Sequence, residues 1–142
     1  MFRLCSSVIH LSLFFGSTQL NVHVFSLRIV IRHLHLIQNR RLDPQTYIDK
    51  NGASLIHWAA GCGYLLLVQY LVEICSCSPH IGQKGKRSFS GRTPLHWAAR
   101  NGHLDVVQYL VCSCHVDVEA ATIDGTTAFC WACWQGHVHV MR

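Results

Sequence analysis

Gly91-Arg92-Thr93-Pro94-Leu95-His96-Trp97-Ala98-Ala99-Arg100-Asn101-Gly102-His103 is the stretch on which the fold turns. Thr93 has the hydroxyl of an N-cap, able to accept a backbone N–H one turn into a helix. Pro94 follows at the first helical position, where a missing donor costs nothing. Ala98 and Ala99 keep one helix face thin enough for close approach by a neighbour. Asn101-Gly102 supplies a left-handed residue to end the helix. Beyond it, Leu104, Val107, Leu110 and Val111 predict the apolar stripe of a second helix.

The same sentence is written three times. Gly52-Ala53-Ser54-Leu55-Ile56-His57-Trp58-Ala59-Ala60 precedes it by 39 residues, and Gly125-Thr126-Thr127-Ala128-Phe129-Cys130-Trp131-Ala132-Cys133 follows at 34. Gly63, Gly102 and Gly136 stay in register, as do Val68-Gln69-Tyr70-Leu71-Val72 and Val107-Gln108-Tyr109-Leu110-Val111. A repeat of this length marks units that bury their apolar faces only by stacking. Gly52, Gly91 and Asp124-Gly125 mark the turns between units.

The middle copy resembles an ankyrin repeat, and the resemblance covers the chain from about Asp49 to Arg142. It implies an all-α ankyrin-repeat solenoid of two and a half repeats, about 49–81, 88–121 and a shortened 122–142, within a domain spanning 43–142. The flanking copies depart from the pattern: Ser54 and Leu55 replace Thr and Pro, while Ala128 and Cys130 replace Pro and His. In the family the His96 position braces its loop locally, so Cys130 makes repeat three the softer unit. The extra length between repeats one and two, Ser78 to Ser90, predicts a projecting finger. Arg142 aligns with Gln108, so the last helix is expected to be cut short and the chain to be a fragment of a longer protein.

Half the residues are apolar and 13% are charged, which excludes a disordered chain, and eight cysteines would suggest a disulfide framework only in a secreted, loop-rich protein. Six cysteines fall in or beside helical segments, which favours free thiols in a reducing, intracellular, cytoplasmic setting. Cys130-x-x-Cys133 with His137-x-His139 has zinc-like spacing. Repeat register assigns those cysteines to bracing and packing positions instead, so no metal site is expected. No paired carboxylates, phosphate loop or nucleophile motif appears, which points away from an enzyme and from a cofactor.

The resemblance therefore implies protein binding through turn tips and the inner-helix face. The corresponding columns are Ala53/Arg92/Thr126, Gly61/Arg100/Trp134 and Cys62/Asn101/Gln135. The candidate partner-binding residues are Arg92, Arg100, Asn101, Trp134 and Gln135, with Lys86, Arg87 and Phe89 in the finger; Arg and Trp are the types that anchor interfaces. Trp58, Trp97 and Trp131 are expected to stack as a column at the core edge. The partner is another protein, with no small-molecule substrate. The leading alternative is a regulatory or targeting module cut from a larger enzyme, channel or adaptor.

Residues 1–42 differ in kind. They hold five arginines and no acid, whereas 43–142 carry seven basic and seven acidic groups, so the whole formal charge of +5 lies in this segment. It reads as a transit peptide for an organelle, a capping helix or a mis-assigned start. Arg28, Arg32 and three histidines make membrane insertion costly. Association with anionic membrane or nucleic acid through this segment is the second alternative.

Overall fold

The computed structural model describes residues 43–82 and 91–142. Six helices in three antiparallel pairs make up the described residues: α1 (Leu55–Gly61) with α2 (Leu65–Glu73), α3 (Pro94–Arg100) with α4 (Leu104–Gln108), and α5 (Ala128–Gln135) with α6 (Val138–Met141). A π-helical turn, Tyr109–Ser113, continues α4. The α1, α3 and α5 helices pack side by side as an inner layer, and α2, α4 and α6 form the outer one.

Each inner helix starts as the sequence indicates. Ser54, Thr93 and Thr127 are N-caps with extended backbones. In the first two repeats a histidine takes the part usually played by Glu or Gln in a capping box. His57 Nδ1 accepts the Ser54 N–H at 3.1 Å, and His96 Nδ1 accepts that of Thr93 at 3.1 Å. Gly63, Gly102 and Gly136 turn the chain towards the outer helix at φ of 74°, 77° and 73°. The turn before each inner helix is hairpin-like, with isolated antiparallel bridges Ile48–Ser54 and Ala121–Thr127; the described residues hold no longer strand.

The core is a sheet of small and aliphatic side chains between the layers. Leu55, Ile56, Ala59 and Ala60 meet Leu95, Ala98 and Ala99, which continue to Ala128 and Ala132. Close approach of the inner helices follows from these alanines. In α4 the burial differs from the expected stripe: Val106 and Leu110 are wholly buried, while Leu104, Val107 and Val111 are half-buried. The reason is geometric. α4 packs on α3, α2 and α6, so its apolar residues spread over a broad face instead of one stripe.

The insertion after α2 also departs from expectation where it is described. Ile81 packs against the core and Gly82 is buried beneath the repeat-two turn. An added Cβ at Gly82 would lie 2.0 Å from the Arg92 carbonyl oxygen, so no side chain fits there. The finger therefore begins by tucking inward before residues 83–90.

Candidate functional site

The strongest concentration of expected partner-binding residues lies where repeats two and three meet. Arg92 closes the repeat-two turn, and Arg100 ends α3 two turns later. Their guanidinium carbons sit 5.2 and 4.8 Å from the ring centre of Trp131, so two cations share one indole. Trp134 meets the same ring edge-on, with centroids 5.4 Å apart. Arg92 is half-buried, while Arg100 and Trp134 are exposed. The cluster presents positive charge and an exposed aromatic edge together. Both guanidinium groups are held over the Trp131 ring.

The expected column of three stacked tryptophans is thereby corrected. Trp58 and Trp97 meet edge-to-face at 5.1 Å, but Trp131 is occupied by the arginines and Trp134. Position 61 explains the difference. It is glycine in repeat one, and an added Cβ would lie 2.9 Å from Trp97 Cε3, so the ring needs that space. The equivalent residue in repeat two is Arg100, which covers the Trp131 face itself. Trp131 is the member of the cluster that sequence reasoning assigned to packing alone; the arginines at 92 and 100, found together only in repeat two, were its available signal.

Trp131 also carries an unmet need. Its Nε1 is buried without a hydrogen-bond partner, whereas Trp58 Nε1 donates to Asp49 Oδ2 at 3.2 Å. Nine residues before Trp131 stands Thr122, which lacks the reach and charge of Asp49.

Other expected residues are placed differently. Asn101 is exposed, yet its Nδ2 donates to the Gly61 carbonyl at 2.7 Å and so ties repeats one and two together. Gln135 is exposed at the end of α5. Lys86, Arg87 and Phe89 lie outside the described residues, as does the segment 1–42.

Two sets of histidines stitch the units. His57 Nε2 donates to the Arg92 carbonyl at 2.9 Å, and His96 Nε2 to that of Thr126 at 3.1 Å. His103 Nε2 lies 3.0 Å from Gly61 O, and His137 Nε2 lies 3.0 Å from Arg100 O. Burial pushes His57 down to about 4, against the Arg92 carbonyl and Asp49, which favour the charged ring. Burial lowers His96 as well. Both stay neutral, which fixes Nδ1 as acceptor and Nε2 as donor. The His96 brace is thus both local, as expected, and a link to the next repeat.

These spacings of turn, short helix, loop and second helix match a sequence-family model described as ankyrin repeats, in three copies over residues 21–122 and 56–142. The chain belongs to the ankyrin-repeat family. A search of curated proteins returns no match. Ankyrin repeats are in general protein–protein interaction modules and typically non-catalytic. The match to ankyrin repeats begins at residue 21, ahead of the expected start of the repeats.

Chemistry at the cysteines is that of separate thiols. Cys62, Cys75, Cys77, Cys112, Cys114, Cys130 and Cys133 are all unbridged. Burial raises Cys77 to about 12, and Cys75 and Cys114 in the same direction. Cys130 moves the other way because the Thr127 hydroxyl donates to its sulfur at 3.5 Å. No group of three or more His, Cys, Asp or Glu converges to hold a metal ion among the described residues, and no described helix is long and apolar enough to cross a membrane.

Proposed function

We propose that this chain is a non-catalytic adaptor that binds a protein partner through the turn and inner-helix surface centred on Arg92, Trp131 and Arg100. The observation that carries this reading is the pair of guanidinium groups held on one indole beside the exposed Trp134. Stacking preorganises both arginines, so less side-chain entropy is lost when a partner engages them. Such a surface fits an acidic segment that also carries an apolar or aromatic anchor. Gln135, exposed at the end of α5, is included in this reading, and the unbridged thiols favour a reducing, intracellular setting.

Quantitative affinity capture with the wild-type chain and with Arg92→Glu/Arg100→Glu tests the reading. Partners specific to this surface are captured by the first and lost with the second. A captured set that is indifferent to the double reversal overturns it.

A further inference from the structure

Charge is distributed unevenly over the inner surface of this stack. None of the helices α1, α3 and α5 contains an acidic residue, and from Ile74 to Leu104 the chain carries none at all. Arg92 and Arg100 both lie in that stretch. Their counterparts are Ala53 and Gly61 in repeat one and Thr126 and Trp134 in repeat three, so the repeat pattern itself calls for no cation at either place.

Both arginines are held at two points. The Arg92 carbonyl accepts His57 Nε2 of repeat one at 2.9 Å, and the Arg100 carbonyl lies 3.0 Å from His137 Nε2 of repeat three. Their guanidinium groups rest over the Trp131 ring, 5.2 and 4.8 Å from its centre. Backbone and side chain are thus fixed by the units on either side, which lowers the entropy lost when a ligand is gripped. The shared centre keeps the two guanidinium carbons within about 10 Å of each other, and an anion taking a fork of N–H groups from each needs them about 8 Å apart.

The chemistry of the anion follows from the number of forks. A carboxylate has two oxygens and one charge, and a single arginine fork saturates it. A phosphate monoester offers three terminal oxygens and a charge of about −1.5 to −2 at neutral pH, enough to engage two arginines together. Resting on the reading of this patch as a partner-binding surface, we infer that Arg92 and Arg100 clamp the phosphate of a phosphorylated residue in the partner's segment. The partner then binds when phosphorylated and is released by dephosphorylation.

The test sets the full chain against labelled peptide pools with degenerate flanks and phosphoserine, phosphotyrosine, glutamate or serine fixed at the centre. Fluorescence polarisation is expected to give a phosphorylated pool a Kd at least about tenfold below that of the glutamate pool, the worth of one charge-assisted hydrogen bond. The serine pool is expected to bind more weakly still. Arg92→Lys/Arg100→Lys keeps both charges but removes the forks, and is expected to erase the preference for phosphate over glutamate. An unchanged melting curve shows that this variant is folded. Equal affinity for the phosphorylated and glutamate pools, binding of none of them, or a preference that survives in the lysine variant overturns the inference. So does tighter binding of a duplex oligonucleotide, or of vesicles containing phosphatidylinositol phosphates, that is lost in the lysine variant, since that assigns the clamp to a different phosphate. Capture of protein partners that is lost with Arg92→Glu/Arg100→Glu yet indifferent to phosphatase treatment of those partners leaves the adaptor reading standing and removes this one.

Discussion

The Nδ1 of His57 accepts the Ser54 N–H only while the ring is unprotonated, so acid attacks a buried contact there. In the unfolded chain the ring titrates near 6.5, and in the fold at about 4. A lowered histidine contributes stability above its unfolded value and loses it as pH falls towards the folded one. Integrated over that window, His57 accounts for about 3 kcal/mol. The urea midpoint is expected to fall steeply between pH 6.5 and 4.5, and His57→Gln to flatten that slope, since Gln can serve a capping box without titrating. An unchanged slope in the variant would assign the acid sensitivity elsewhere. Trp131 offers the converse case, a missing partner. Asp49 Oδ1 accepts the N–H groups of Asn51 and Ala53 at 2.8 Å each, while Oδ2 takes Trp58 Nε1. Thr122 accepts the Thr126 N–H at 3.0 Å but leaves the indole donor alone. Thr122→Asp/Asp124→Asn transplants the repeat-one turn without adding charge. It is expected to raise stability by about 1 kcal/mol, read as a rise of roughly 4 °C in Tm; a fall in Tm would show that the turn cannot present the carboxylate.

At the scale of elements, the helix starts were legible and the outer-helix ends were not. Thr93-Pro94 and Asn101-Gly102 state their backbone geometry in residue type, and the structure places Gly102 at φ 77°. The first two outer helices are followed by left-handed residues too, but these are Ser76 at 53° and His115 at 51°, which announce nothing. There the chain closes with backbone bonds reaching back six residues, Cys77 N–H to Leu71 O at 2.8 Å and Val116 N–H to Leu110 O at 3.2 Å. Cys77 and Val116 are thereby driven into the core. Burial of that terminal apolar residue offsets the left-handed strain, a tertiary effect outside local pattern. The glycine test therefore has opposite signs at the two sites. His115→Gly is expected to stabilise by about 0.5 kcal/mol through relief of strain. Gly102→Ala is expected to destabilise by about 2 kcal/mol, because strain adds to the collision with His137. Chemical denaturation of both variants reads the two signs directly, and equal signs would contradict the cap assignment.

Across the whole molecule, the three-fold register revealed the stack and its inner layer, whereas the Arg92–Trp131–Arg100 cluster arises from contacts between repeats that no single unit contains. Register also gave the gradient of stability. A stack of this kind sums nearest-neighbour interfaces, so a unit covered on one side opens before one covered on both. α3 lies between α1 and α5, with five of its seven residues buried. α5 buries only Ala128 and Ala132, and α6 buries no residue fully. Cys130 adds to the difference: its N–H meets Thr127 Oγ1 at 3.4 Å, and its thiol lacks the second nitrogen with which His57 and His96 cross to the next unit. Native-state hydrogen exchange is therefore expected to show protection in 128–141 at least about tenfold below that in 95–99. Cys130→His separates the two causes. It restores the acceptor for the Thr127 N–H, so α5 protection rises if the local brace matters, and stays low if exposure of the outer face dominates. Uniform protection across all three units would instead mean that the stack opens as one cooperative body, and the nearest-neighbour account would fail.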